Sequence, residues 1–175
     1  FALRNIALQL PLPKNTRQIF QEHKVIGTVN ALQLEWSEQN KPEGRSYKIS
    51  NANGNIQKLT FEGGKSGSLT EAWPSIENAN VIFEMNADGG QIKASIEQGA
   101  LSAHRIFEEP RIALDKMQAS IKWLHQKGQL TVPDWQLSFS NSDAAGSWQG
   151  SWKPSTIPNS MGVLDLQGSI ARASA

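Results

Sequence analysis

The chain has 175 residues, of which 38% are hydrophobic and 19% charged, and this composition is typical of one folded domain rather than of a disordered chain. Seventeen basic and sixteen acidic residues leave a formal net charge of +1, which argues against the strongly positive field of a nucleic-acid-binding protein. Cysteine is absent, which excludes disulfides, thiol catalysis and Cys-based zinc sites, and no apolar run approaches the roughly 18 residues that a membrane span needs.

The beginning of the chain predicts a strand, one short helix and a second strand. Residues 3–10 read as a strand that prolines 11 and 13 bring to an end, and a helix is predicted near residues 15–23. In the next strand, apolar and polar residues alternate, which places three apolar side chains on one face: Leu32, Leu34 and Trp36.

The middle of the chain predicts two hairpins. Residues 47–49 and 56–61 read as strands joined at Asn53-Gly54, a dipeptide favoured in two-residue hairpin turns. The segments 81–85 and 92–96 alternate in the same way on either side of a turn at residues 88–90.

The last third of the chain predicts a meander with one apolar and one polar face. Apolar residues alternate over 117–123 and 135–139, with a turn at 126–128 between them, and again over 148–152 and 162–168. We therefore expect an all-β fold, an antiparallel meander of about ten strands with one short helix near 15–23. Because the chain begins without a methionine inside what reads as a strand, and stops at residues 170–175 without an obvious terminator, we expect residues 1–175 to be a single β-rich segment excised from a longer protein.

The residues that commonly carry catalysis or bind metals show no useful spacing. His23, His104 and His125 are far apart, and none has a second histidine at metal-ligand spacing. The segment Gly64-Lys65-Ser66 resembles the end of a phosphate-binding loop, but Leu59 stands where that motif requires glycine. Adjacent carboxylates at Glu108-Glu109 would point to opposite faces of a strand. We therefore expect no enzyme activity, no metal site and no cofactor.

Six tryptophans are the most unusual feature of the composition: Trp36, Trp73, Trp123, Trp135, Trp148 and Trp152. Tryptophan packs well in a core, stacks on sugar rings in carbohydrate-binding modules, and lines grooves for acyl chains. Alternation alone does not separate an apolar face covered by a second protein layer from one covered by lipid.

An ordered set of short motifs resembles the AsmA-like superfamily, specifically the YhdP-type envelope proteins of Gram-negative bacteria. These motifs run along nearly the whole chain: Leu12-Pro13, Gly27-Thr28-Val29, Leu32-Gln33-Leu34-Glu35-Trp36, Trp73-Pro74-Ser75-Ile76-Glu77-Asn78, Val81-Ile82-Phe83, Asp88-Gly89-Gly90-Gln91-Ile92, Phe107, Pro110, Leu114, Ala119-Ser120-Ile121-Lys122-Trp123, Leu137-Ser138-Phe139-Ser140-Asn141-Ser142-Asp143-Ala144, Gly146, Gly150 and Leu164-Asp165-Leu166-Gln167-Gly168.

The resemblance implies a periplasmic protein, anchored in the inner membrane, whose sheet curls into an open hydrophobic groove of the β-taco type. Such proteins are thought to carry phospholipid between the inner and the outer membrane. The implied partners are phospholipid acyl chains and neighbouring segments of the full-length protein, with no nucleic acid. The family supplies no catalytic residues and no lipid-contact motif to transfer.

From alternation we expect one set of apolar side chains to line the groove: Leu32, Leu34, Trp36, Phe83, Met85, Ile92, Ile96, Ile121, Trp123, Leu137 and Phe139. Two alternatives remain open at this point. The chain is a structural or assembly module that docks a protein partner, or a carbohydrate-binding module that uses exposed, coplanar tryptophans.

Overall fold

A computed structural model describes residues 2–10, 12, 14–41, 44–63, 73–102, 111–157 and 160–173. In these ranges there are two helices, α1 (Leu3–Gln9) and α2 (Lys14–Glu22). They are followed by eight strands: β1 (Val25–Lys41), β2 (Gly44–Phe61), β3 (Ser75–Asn86), β4 (Gly89–Ser102), β5 (Arg111–Gln126), β6 (Gln129–Ser140), β7 (Ala144–Lys153) and β8 (Val163–Ala173). Neither helix is long and apolar enough to cross a membrane.

The eight strands form one antiparallel sheet in which each strand pairs with the next along the chain. The predicted all-β antiparallel meander is therefore confirmed. The described residues form eight long strands in place of about ten, and two helices in place of one. The helix predicted near residues 15–23 is α2.

The sheet has two chemically different faces because side chains alternate along every strand. The apolar face is defined by a row of paired residues that crosses all eight strands: Leu32, Gly54, Phe83, Ile92, Ile121, Trp135, Gly150 and Leu166. The polar face is defined by the adjacent row, which points the other way: Ala31, Asn55, Ile82, Lys93, Ser120, Gln136, Gln149 and Gln167. The alternation in the sequence therefore corresponds to the two sides of a real sheet.

The prediction of a strand over residues 3–10 is wrong, because Leu3–Gln9 is a helix. Leu3 and Ala7, four residues apart, are its buried side chains, and Ile6 packs beside them. This i, i+3, i+4 spacing gives a helix one apolar stripe. Ile6, Leu8 and Leu10 also stand at a period of two, and the packing of α1 against β1 decides between the two patterns.

The predicted hairpin turn at Asn53-Gly54 is also wrong. Both residues lie inside the 18-residue strand β2, where Gly54 pairs with Leu32 on one side and Phe83 on the other. A Cβ atom at Gly54 would lie 2.7 Å from the ring of Phe83, so the glycine makes room for an aromatic ring instead of a turn. The two strands predicted on either side of it are one strand.

The remaining predicted turns occur close to their expected places. The β3–β4 turn lies at Ala87-Asp88, one residue before the predicted start, and the β5–β6 turn has positive φ at Lys127 and Gly128. At the β6–β7 turn the side-chain oxygen of Asn141 accepts hydrogen bonds from two backbone N–H groups, of Asp143 (3.0 Å) and Ala144 (2.7 Å). Such a local turn ends a strand without glycine.

Several features that the sequence singled out lie outside the described residues. These are the Gly64-Lys65-Ser66 segment, His104 and Glu108-Glu109.

Two clusters of buried side chains lie on the apolar face. The central cluster is formed by Ala79, Ile96, Leu114 and Met117, with Phe139 among the side chains around it. Ile96 has no exposed surface, although the described part of the chain forms only one sheet layer. Neighbouring side chains of the same face therefore close over it. The second cluster joins α1 to the ends of β1 and β2.

Candidate functional site

All the side chains predicted to line a groove lie on the apolar face. The strand register places Leu32 and Leu34 beside Phe83 and Met85, through Gly54 and Ala52 of β2. From there the face continues through β4 and β5 to β6, where Phe139 pairs with Met117, the partner of Ile96. The strand register therefore places all of these residues on one side of the sheet.

These side chains differ in how much surface they leave open. Ile96 is fully buried in the central cluster, while Leu137 and Phe139 pack half-buried around it. Four others keep over a third of their surface exposed: Trp36 (47%), Met85 (39%), Ile92 (36%) and Ile121 (38%). We call these four residues the open patch. The half-buried side chains of Leu34, Phe83 and Trp123 connect them.

Glycines beneath aromatic rings shape the apolar face. A Cβ atom at Gly90 would lie 2.5 Å from the ring of Trp123, and one at Gly168 would lie 2.1 Å from the ring of Trp148. Each ring thus lies across the glycine of a neighbouring strand. Side chains that lean in this way make the face flatter and fill the space that the glycine leaves without a side chain.

Tryptophan packing on this face is partly aromatic stacking. The rings of Phe139 and Trp148 are parallel, with an interplanar angle of 5° and centroids 5.4 Å apart. Trp152 donates a hydrogen bond from Nε1 to the carbonyl oxygen of Met161 at 2.9 Å. These tryptophans therefore have a packing role, whereas Trp36 and Trp73 are about half exposed, at 47% and 50%.

The polar face holds two concave cavities, of about 870 and 720 Å³. The larger one runs across strands β2 to β8 and is lined mainly by amide and hydroxyl side chains, among them Asn55, Ser120 and Gln136, with Lys93 as its charged group. The apolar face, in contrast, presents its exposed side chains as an open surface. A twisted sheet is saddle-shaped, so each face is concave along one direction.

One end of the apolar face is covered by α1 and α2; we call it the helix end. Leu3 of α1 packs with Val25 and Val29 of β1, and Phe20 of α2 packs beside them. The helices are also tied by the Arg4 guanidinium, which donates from Nε to the carbonyl oxygen of Phe20 at 3.1 Å. The turns that join β3 to β4 and β5 to β6 lie at the opposite, hairpin end.

His23 is buried at the junction of α2 and β1. Its Nδ1 lies 2.9 Å from the carbonyl oxygen of Glu62, and its ring lies against Phe61 with centroids 5.7 Å apart. Next to it, Lys24 forms an ion pair with Glu62 at 2.9 Å. The hydrogen bond to Glu62 raises the pKa of Lys24. This group of contacts fastens the helical segment to the sheet. His125, by contrast, is exposed at the end of β5.

A second ion pair joins β3 to β5 at the helix end. Arg111 donates from Nε to Oε1 of Glu77 at 3.1 Å and from Nη2 to Oε2 at 2.7 Å. This two-pronged hydrogen bond lowers the pKa of Glu77 and raises the pKa of Arg111. Both charged groups of this pair are largely exposed, so they serve the sheet rather than a buried reaction centre.

No cluster of three or more histidine, aspartate or glutamate side chains within the described ranges is placed to hold a metal ion. The described site offers apolar surface, with exposed aliphatic and aromatic side chains next to the buried central cluster.

Sequence reasoning missed the role of the helix end and of the glycines. The signal for α1 was present, because Leu3, Ile6 and Ala7 stand at helical spacing. The pairing of Gly90 with Trp123 had no sequence signal, because it depends on which residues the register brings opposite each other.

Comparison with known proteins gives one positive finding. The model of a family described as YhdP protein matches residues 2–175, almost the entire chain. No curated protein and no solved structure matches it. The family match confirms the resemblance that the ordered sequence motifs indicated.

Proposed function

The chain belongs to the YhdP protein family, a family of bacterial envelope proteins, and on that premise we propose that its apolar face binds the acyl chains of phospholipids non-covalently. In this proposal the chain is a segment of a periplasmic lipid-transfer protein, anchored in the inner membrane, that moves phospholipid between the inner and outer membranes. Neighbouring segments of the full-length protein continue the path.

The open patch is the observation that carries the proposal. Soluble proteins usually cover contiguous large apolar side chains, and an uncovered set marks a binding surface. Here Trp36, Met85, Ile92 and Ile121 stay exposed beside a fully packed cluster on the same face. Within the described residues no second layer of the sheet lies over them.

The chemistry of the patch suits an acyl chain. Each methylene that leaves water contributes about 0.8 kcal/mol, so several methylene groups lying on the patch give useful affinity without any directional contact. Aliphatic and aromatic groups accept chains of different length and unsaturation. A transfer protein needs this tolerance, because it must release the lipid as well as bind it.

Native mass spectrometry of the gently purified chain, with lipid extraction of the same sample, tests this proposal. We expect bound phospholipid in the wild-type chain and its loss in Ile121→Asp, which places a charge on the open patch. The matched control is Ile82→Asp, because Ile82 is 56% exposed on the opposite, polar face of the sheet, on β3. Ile82→Asp should keep the lipid. Equal lipid content in both variants, or a lipid-free wild-type chain after incubation with phospholipid vesicles, would contradict the proposal.

A structural or assembly role is the second candidate, and β8 favours it. Every residue of β8 is exposed, and its apolar side chains include Leu164, Leu166 and Ile170. Among the described strands, β8 pairs only with β7, so its other edge presents free backbone hydrogen-bonding groups. A protein partner that adds a strand there would be recovered with the chain in the absence of lipid.

A further inference from the structure

The apolar face continues beneath α1. Leu32 of β1 lies in the same register row as Ile92 and Ile121 of the open patch, with Phe83 between them. Leu32 also packs against the cluster under the helix. Beyond Leu32 the same face carries Val29 and Val25, whose side chains α1 covers. The covered and the uncovered surface are therefore one continuous apolar strip.

The side chains of α1 take the place on this strip that a hydrocarbon chain would take. Leu3 and Ala7 are buried against it, and Ile6 lies half-buried beside them. They contribute methyl and methylene groups to a surface that is itself formed by apolar side chains. A bound acyl chain would make the same kind of contact with Val25, Val29 and Ile56.

Apart from the hydrogen bonds that Arg4 donates to the carbonyl oxygens of Phe20 and Gln21 on α2, helix α1 has few directional contacts that hold it. It has only seven residues, Ala2 at its N-cap makes no side-chain capping bond, and its first and last turns carry no charges that favour the helix dipole. A helix this short is marginal by itself, so the apolar packing against β1 and α2 maintains it. Its N-terminal anchor on the sheet is a single antiparallel bridge between Ala2 and Thr28.

We infer that the surface beneath α1 is a second, cryptic part of the acyl-chain site, and that α1 is its displaceable occupant. Long acyl chains lift α1 and extend from the open patch onto Leu32, Val29 and Val25, whereas short chains bind to the open patch alone. This inference rests on the proposed function. It adds where the bound chain ends and what limits its length.

A reversible lock on α1 tests the inference, because the chain has no cysteine of its own. Residues paired in an antiparallel bridge have Cα atoms about 4.5–5.5 Å apart, which a disulfide spans. The double variant Ala2→Cys/Thr28→Cys therefore fastens the start of α1 to β1 when oxidised and frees it when reduced. The single variant Ala2→Cys, treated with the same oxidant, is the control.

The probes are saturated fatty acids of about eight to about eighteen carbons, whose affinities are measured for both redox states. We expect equal affinity for short chains, and for the longest chains a loss of about tenfold or more on oxidation. Identical length dependence in both states would overturn the inference and leave the proposed function intact. If no fatty acid of any length binds, the proposed function itself fails.

A second variant frees α1 without a crosslink. Ile6→Asp places a charge in the contact with β1 and should raise the affinity for the longest chains only, whereas Asn5→Asp on the exposed side of the same helix should not. If Ile6→Asp leaves the longest-chain affinity unchanged while circular dichroism shows an intact sheet, α1 does not cover the site.

Discussion

At the scale of single residues, the apolar face depends on small residues as much as on large ones. The ring of Trp148 stacks on Phe139 and at the same time lies across Gly168 of β8. The space above Gly168 is therefore already filled by a neighbour. Any side chain added at Gly168 must displace the Trp148 ring, which is also stacked on Phe139.

Gly168→Ala should destabilise the chain by about 1–3 kcal/mol, because its methyl group would overlap the Trp148 ring and break the stacking with Phe139. Urea unfolding measures this free energy, and near-ultraviolet circular dichroism reports the change in the tryptophan environment.

Gly27→Ala is the matched control for this prediction. Gly27 also lies in a strand, but its nearest neighbour for an added Cβ is the Cγ2 methyl group of Ile56 at 3.1 Å, which needs to shift by only a few tenths of an ångström. If both variants lose the same stability, the Trp148 ring is not the cause.

At the scale of elements, the sequence predicted strands better than it predicted where each one ends. Residues 44–61 form one strand because Gly54 is paired on both sides, although its dipeptide with Asn53 is typical of a turn. A local turn propensity of this kind is overridden when both neighbouring strands supply hydrogen bonds.

The ion pair between Glu77 and Arg111 makes the link between β3 and β5 dependent on pH. Because the folded-state pKa of Glu77 is lowered, its contribution to stability is present above the ordinary pKa of glutamate and is lost as the pH falls through the lowered value. Glu77→Gln should therefore reduce the free energy of unfolding at neutral pH and have little effect at an acid pH below the lowered pKa of Glu77. The loss at neutral pH should be small, because both side chains are well exposed.

Urea unfolding at the two pH values checks this expectation, with Glu84→Gln on the same strand as the control for removing a carboxylate that does not bond to Arg111. A difference between wild type and Glu77→Gln that persists unchanged at acid pH would show that the ion pair does not act through ionisation.

At the scale of the whole molecule, the described residues form one sheet layer and two short helices, which leave much apolar surface in contact with solvent. The edge strand β8 adds to it, with Leu166 52% exposed on the apolar face and unpaired backbone on its outer side among the described residues. Exposed edges of this kind pair readily with other chains.

Leu166→Lys should therefore lower the concentration-dependent self-association of the chain, as measured by sedimentation velocity. Leu130→Lys is the control. Leu130 is similarly exposed, at 46%, but it lies in β6, which pairs with β5 and β7 and is not an edge strand. Equal self-association of the two variants would place the contact elsewhere.

The sequence by itself determined the alternation of the strands, and with it the all-β meander and the side of the sheet on which Leu34, Phe83 and Ile121 lie. It did so because the two-residue period of a strand is a local property that needs no partner. Only the tertiary structure decided that Ile96 is buried while Ile92, four residues before it, stays open, and that residues 3–9 form a helix on β1. Those outcomes depend on strand register and on which surfaces meet, and contacts between distant parts of a chain leave no periodic trace in its sequence.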